Sequence, residues 1–336
     1  MTPSRFELYR HLRRIRLLDE RLVQLQRQGR IGFHGSCAGQ EVAPVAAGLA
    51  LRPSDWIFPA LRESYVMLVR GYPLERYIAQ DFGSSLDVAK GRQMPSHQSA
   101  RAVNVVSWSS CIGTQLPQAV GMAMAAKRGR TTDISLAFLG DGATSHPDFH
   151  AAMNFAGVFR APCVFVCQNN QFAISVPVER QTGNPRLFEK AAAYGFSGER
   201  VDGNDAEVVV DAIARAAERA RGGGGPSFIE CSTYRVGPHS SSDDPSRYRD
   251  EAVAQAWAER DPVTLIRERL RATGALDAAA DAALTAELTA ELELAVAAAE
   301  RAPPPDLASL FEDVYQTPPP HLVEQAARAA SPRDLA

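Results

Sequence analysis

Two short apolar runs, each ending in a polar signature, limit what this chain can fold into. Ile134 to Leu139 leads into Gly140-Asp141-Gly142, and Val164 to Cys167 leads into Asn169-Asn170. Continuous apolar runs of this length have the character of strands covered on both faces of a parallel sheet. His150 to Phe159 between them reads as a crossover helix. A β-α-β unit of parallel strands is right-handed, so both polar clusters emerge at the carboxyl edge of one sheet, where such folds bind ligands. Asp141 and Asn170, 29 positions apart, then become neighbours. A carboxylate, an amide oxygen and a nearby backbone carbonyl are hard donors suited to Mg2+, which keeps positions open for phosphate oxygens. Gly140 and Gly142 let the backbone approach a diphosphate, and the N–H groups of the following helix start, from Ala143 on, are free to receive it. Gly-Asp-Gly alone reads equally well as a turn with a solvated aspartate. The Asn-Asn pair closing the next strand gives the pattern its specificity.

Around this unit the chain predicts an α/β fold. Leu8, Leu12, Ile15, Leu18, Leu22 and Leu25 recur at spacings of three and four, which predicts an amphipathic helix ending near Gly29. A Gly-rich crossing over 31–39 leads to a helix over 40–51. A further helix is expected over 62–71, with Pro73 opening the next. Residues 90–106 read as a long loop, 114–127 as a closely packed helix rich in small residues, and Phe228 to Cys231 as a third strand. The polar run from His239 to Asp250 is too long for a tight connection and reads as a functional loop. An alanine-rich helix over 275–302 carries Leu284, Leu288, Leu292 and Val296 at four-residue intervals and stops at Pro303 to Pro305.

Composition narrows the partners. With 36 basic against 39 acidic residues and a net charge of −3, nothing attracts a nucleic acid or an anionic membrane. The longest apolar stretch, Ala43 to Leu51, is far short of the roughly 20 residues a membrane helix needs. The basic residues are nearly all arginine, Lys90, Lys127 and Lys190 excepted, which points to a GC-rich genome. Five scattered cysteines form no disulfide framework. Cys163 and Cys167 face one side of a strand about 13 Å apart, too far to bridge. A reducing bacterial cytoplasm fits this usage. Arginines between 5 and 30 suggest a transit peptide, but Glu7, Asp19 and Glu20 argue for structure instead.

From Gly140 to Pro177 the chain resembles the thiamine-diphosphate motif of alpha subunits in the decarboxylating component of 2-oxo acid dehydrogenase complexes. The resemblance extends from Phe6 to about Gln325 through RLLDERLVQLQRQGRIG, KGRQMPSH, TQLPQAVG, YRVGPHSSSDDPSRYR and LFEDVYQTPPPHLVEQ. KGRQMP and GPHSSSDD look most like the branched-chain, or 2-oxoisovalerate, group. The resemblance implies a thiamine-diphosphate-binding fold, a mainly parallel sheet flanked by helices. It divides the chain into an N-terminal helical segment (1–60), a cofactor-binding core ending in the active-site loop (61–250) and a helical extension (251–336).

It also assigns residues. The Mg2+ ligands fall on Asp141, Asn170 and the backbone carbonyl of Phe172, and Arg62 matches the arginine that reaches the diphosphate. Ser110 and Ile112 match contacts to the pyrimidine ring, while Ser109, the Cys111 carbonyl, Thr114 and Gln115 match a K+ site. His239 is the catalytic histidine by resemblance, and chemistry agrees: the lipoyl acceptor needs a proton donor-acceptor that titrates near neutrality. Arg235, Asp243, Tyr248 and Arg249 match residues that order the His239 loop. His97 and His146 have no matched catalytic counterpart. The chain departs from the family at Leu61 (usually tyrosine), at His146-Pro147 (usually Glu-Gly) and at Gln168 (usually charged).

Nothing in the sequence supplies the family's second half of the site, which comes from a beta subunit. The resemblance therefore implies an α2β2 heterotetramer that decarboxylates a branched-chain 2-oxo acid and passes the acyl group to lipoyl-lysine on an acyltransferase core. Pyruvate or acetoin as the substrate, and a degenerate subunit that assembles without turnover, are the rival readings. Ser240 matches a serine phosphorylated in animal relatives, but the second such serine is Asp250 here.

Overall fold

The computed structural model describes residues 3–330, so the chain ends at 1–2 and 331–336, within the first and third expected segments, lie outside the described residues. Five parallel strands run in the order β1-β2-β3-β7-β6: β1 (Trp56–Phe58), β2 (Ser135–Gly140), β3 (Cys163–Asn169), β6 (Ser197–Asp202) and β7 (Ser227–Ser232). A two-stranded antiparallel hairpin, β4 (Phe172–Ala173) with β5 (Val176–Pro177), follows β3. The expected α/β class and mainly parallel sheet are what the chain adopts.

Alternation along the three central strands builds two cores. Leu136, Phe138, Val164, Val166, Ile229 and Cys231 share one buried core with residues of the helices α1 (Arg5–Arg27), α2 (Val42–Ala50), α4 (Leu74–Phe82), α8 (Ala206–Arg221) and α11 (Ala278–Arg301). Ala137, Leu139, Cys163, Phe165, Cys167 and Phe228 face α5 (Gln115–Arg128) and α6 (Pro147–Phe159). Cys163 and Cys167 share a face as expected, and all five cysteines are unpaired. The leucine stripe of α1 is buried throughout, and Asp205 caps α8 by accepting from Glu207 and Val208 N–H.

One expectation fails. The helix foreseen over 62–71 shrinks to α3 (Val66–Val69). The Glu63 carboxylate accepts from the N–H groups of Ala60 and Arg62, which closes a tight turn and holds Arg62 out of any helix. The remaining short or C-terminal helices are α7 (Val178–Gln181), α9 (Glu251–Ala258), α10 (Pro262–Ala272) and α12 (Pro320–Ala330).

Asp55, fully buried just before β1, accepts from Arg52 and Ile134 N–H and from both terminal nitrogens of Arg221, at 2.9 and 2.6 Å. Removing one partner of a buried pair strands the other charge, at a cost of roughly 3–5 kcal/mol. Arg221→Ala is accordingly expected to lower the urea midpoint of the chain sharply; an unchanged midpoint would show that Asp55 is satisfied without it.

Candidate active site

Four segments that matter to the site leave the carboxyl ends of β1, β2, β3 and β7 and meet over one edge of the sheet. They line a pocket of about 470 Å³ that brings together Arg62, Gly140, Asp141, Gly142, Ala143, Asn170, Phe172, Arg235, His239 and, from another loop, Ile112.

Asp141 is 1% exposed, and its Oδ2 has no hydrogen-bond partner. Burial pushes its carboxyl up to about 6, against the opposing pull of backbone N–H groups and Arg235. An unpartnered buried carboxylate oxygen is costly, and a cation is what would relieve it. Asn170 donates through Nδ2 to Gln40 Oε1 (3.2 Å), while its Oδ1 receives Phe172 N–H (3.2 Å). The Phe172 carbonyl receives only a long 3.4 Å bond from Arg235. One carboxylate, one amide oxygen and one carbonyl thus stand at the edge of the pocket, a donor set that fits Mg2+ with phosphate oxygens completing it. Among the described residues no cluster of three His, Cys, Asp or Glu side chains offers a competing metal site. A Cβ on Gly142 would lie 2.7 Å from that of Ala173, so glycine is what lets the two loops touch.

Arg62 is 4% exposed, not a surface arginine at a helix start. One terminal nitrogen donates to the Ser36 carbonyl and the other to the His239 carbonyl at 2.8 Å, with His239 Nδ1 at 3.4 Å. Burial and the nearby Arg235 bring its pKa down to about 10, still cationic at neutral pH. His239 departs from expectation: burial, then Arg62 and Arg235, lower its pKa to about 4, overriding the opposing pull of Asp243. Burial, with the two guanidinium groups facing it, thus favours the neutral imidazole.

The His239 loop is tied down by all four residues singled out for it. Asp243 Oδ2 accepts from His239 N–H (2.7 Å) and from Tyr248 OH (2.5 Å), and Tyr248 OH also receives Arg235 (2.9 Å). Arg249 donates to the carbonyls of Val236 and Gly237. Ser109, Ser110, Cys111 and Ile112 are exposed, and of the four Ile112 lines the pocket. The Thr114 hydroxyl donates to the Cys111 carbonyl (2.9 Å) and the Ser109 hydroxyl receives Cys111 N–H (3.2 Å), whereas the amide nitrogen of Gln115 turns inward to the Phe138 carbonyl. His97 Nε2 stands 2.6 Å from Ser110 Oγ.

The departures have structural accounts. His146 caps α6 by accepting Asp148 N–H, and Pro147 occupies the first turn, where it sacrifices no bond. Gln168 donates to buried Glu63, whose carboxyl is raised by burial. Leu61 packs beside Gly35.

Three supporting residues escaped the sequence reading. Glu230, wholly buried in β7, accepts from Asn169 Nδ2 (2.8 Å), Phe188 N–H (2.9 Å) and Arg200 (2.7 Å), and Asn169 in turn receives Gln171 N–H, fixing the turn that presents Asn170 and Phe172. An acid in the otherwise apolar run Phe228 to Cys231 was the available signal. Gln40 and Asp19 are the others. Asp19, fully buried on α1, accepts from His34, Ser36 Oγ, Cys37 N–H and Tyr65 OH; burial favours its protonation, but these bonds hold its carboxyl below the usual range. It thereby anchors the 34–40 loop whose Ser36 carbonyl holds Arg62 and whose Gln40 holds Asn170.

Residues 9–308 match the family model described as dehydrogenase E1 component. The chain is 46% identical over 267 residues to the 3-methyl-2-oxobutanoate dehydrogenase subunit alpha of Mycobacterium tuberculosis (strain ATCC 25618 / H37Rv), covering 80% of this chain and 70% of the relative. It is 40% identical over 319 residues to the mitochondrial 2-oxoisovalerate dehydrogenase subunit alpha 1 of Arabidopsis thaliana, covering 95% and 68%. The human mitochondrial 2-oxoisovalerate dehydrogenase subunit alpha is 38% identical over 320 residues, covering 95% and 72%.

Proposed function

Because the chain belongs to the dehydrogenase E1 component family, which depends on thiamine diphosphate, we propose that it is the alpha subunit of a branched-chain 2-oxo acid dehydrogenase, acting on 3-methyl-2-oxobutanoate. The observation that carries the reading is the buried Asp141 oxygen with no partner, set beside the Asn170 amide oxygen and the Phe172 carbonyl. These three would hold Mg2+. Arg62, still cationic, and the N–H groups from Gly142 and Ala143 would receive the diphosphate, while Ser110 and Ile112 would meet the pyrimidine end at the rim. When bound, the thiazolium supplies the electron sink for decarboxylation. His239, neutral and facing the pocket, takes up a proton and delivers it to the thiolate released when the disulfide of the lipoyl acceptor is opened. Ser109, the Cys111 carbonyl, Thr114 and Gln115 are assigned to K+.

The partner is a beta subunit, in an α2β2 assembly served by a lipoylated acyltransferase core. Residues 61–250 are the cofactor-binding core between two helical segments. No helix among the described residues is long and apolar enough to cross a membrane, and the bacterial cytoplasm is the proposed location.

The test uses the α and β chains purified together and apart, with thiamine diphosphate, Mg2+ and an artificial electron acceptor. The joint enzyme should favour 3-methyl-2-oxobutanoate over pyruvate in kcat/KM by at least about tenfold, the discrimination a shaped apolar pocket can supply. The separate alpha chain should be inactive. Turnover by that chain alone, or a preference for pyruvate, would overturn the respective half of the reading.

A further inference from the structure

His97 belongs to no catalytic pattern in the sequence, yet its ring is held on every side. It is 5% exposed and stacks on Trp108 with centroids 3.9 Å apart and planes 16° apart. Its backbone N–H donates to Gln80 Oε1 (3.0 Å), and Trp108 Nε1 donates to the Ser96 carbonyl (2.6 Å), which pins the stacking partner as well. Ring Nδ1 lies 3.0 Å from the Pro95 carbonyl, and Nε2 lies 2.6 Å from Ser110 Oγ.

The carbonyl can only accept, so Nδ1 carries the proton, and in that tautomer Nε2 carries a lone pair. Ser110 must then give its single hydroxyl proton to His97. What the hydroxyl offers on its exposed side is a pair of lone pairs and no donor. Ser110 is exposed, and Ile112, two residues further on, lines the pocket.

We infer that His97 is a positioning residue that fixes the Ser110 hydroxyl as an obligate hydrogen-bond acceptor for an N–H of the cofactor's aminopyrimidine ring. The inference rests on the proposed reading of the pocket as a thiamine diphosphate site with Ser110 at its ring end. A freely rotating serine could donate or accept and would recognise an amine and a carbonyl equally well. Held by His97, it discriminates in favour of the amine and spends no rotor freedom on binding.

The test measures binding, not turnover. The heterotetramer is titrated calorimetrically, in the presence of Mg2+, with thiamine diphosphate and separately with inorganic diphosphate, which lacks the ring. Ser110→Ala and His97→Phe should each weaken thiamine diphosphate by roughly 3–10-fold, the effect of losing one neutral hydrogen bond, and leave inorganic diphosphate unchanged. The double variant should be no weaker than either single one, because both remove the same bond. His97→Gln, whose amide oxygen can take the Ser110 proton, should recover most of the loss. If Ser110→Ala weakens thiamine diphosphate but His97→Phe does not, or if His97→Phe weakens both ligands alike, the positioning role is wrong while the pocket reading stands. If Ser110→Ala changes nothing, Ser110 is not at the ring and the pocket reading fails with the inference. Should His97→Phe not assemble, His97→Leu, equally without an acceptor, is scored by the same criteria.

Discussion

In an Asp141→Ala heterotetramer, thiamine diphosphate binding in the presence of Mg2+ should weaken by roughly 100-fold or more. Even the outer partners of metal sites typically cost about 10–100-fold when removed, and Asp141 is the only carboxylate in the proposed ligand set. The remaining donors, the Asn170 amide and the Phe172 carbonyl, are neutral, so water in place of Asp141 leaves the cation and the diphosphate with no protein anion to balance them. The fold should survive and gain slightly in stability, because the substitution deletes a buried carboxylate oxygen that has no partner in the chain alone. Calorimetric titration and thermal unfolding of the same samples separate the two effects. Wild-type cofactor affinity in the variant would remove Asp141 from the metal site.

What could be read from sequence follows burial. The central strands β2, β3 and β7 are covered on both faces, so β2 and β3 carry continuous apolar runs and β7 a run broken only by Glu230, and their ends mark the candidate site. The strand β6 lies at the sheet edge with exposed and half-exposed residues from Ser197 to Asp202, and its polar sequence carries no strand signal. Strand β1 is only three residues long, too short for any period to show. Helix α8 carries a legible pattern: Val209, Val210, Ile213, Ala216, Ala217 and Ala220 trace one buried face behind the Asp205 cap. Arg62 misled because a helical pattern over 62–71 was plausible locally, whereas the Glu63 carboxylate closes a turn there instead. The candidate site was visible where a motif spans two strands, at Asp141 and Asn170. Its supports were not, because Asp19, Gln40 and Glu230 act through partners distant in the chain: 15 to 46 positions for the Asp19 bonds, 130 from Gln40 to Asn170 and 61 from Glu230 to Asn169. No local spacing encodes such contacts.

His239→Ala in the heterotetramer should lower turnover with the lipoylated acceptor by roughly 10²–10⁴-fold, the usual contribution of a positioned acid-base group. Cofactor affinity should fall far less. The bonds that hold the loop are made by backbone and by other side chains: Arg62 reaches the His239 carbonyl, and Asp243 receives the His239 N–H, so both persist when the imidazole is removed. Arg62 therefore stays where the diphosphate would find it. The imidazole is neutral in the chain alone because burial, Arg62 and Arg235 all penalise its cation. A bound diphosphate would offset the two guanidinium charges and raise that pKa, moving His239 towards the range where it can both accept and return a proton. Asp243→Asn tests the loop separately: it weakens the acceptor of the His239 N–H and Tyr248 OH bonds while leaving the imidazole in place, and should increase protease cleavage within 238–250 as turnover drops. Loss of cofactor binding in His239→Ala equal to its loss of turnover would make His239 a binding group and not a proton carrier, and full turnover in that variant would remove it from the chemistry altogether.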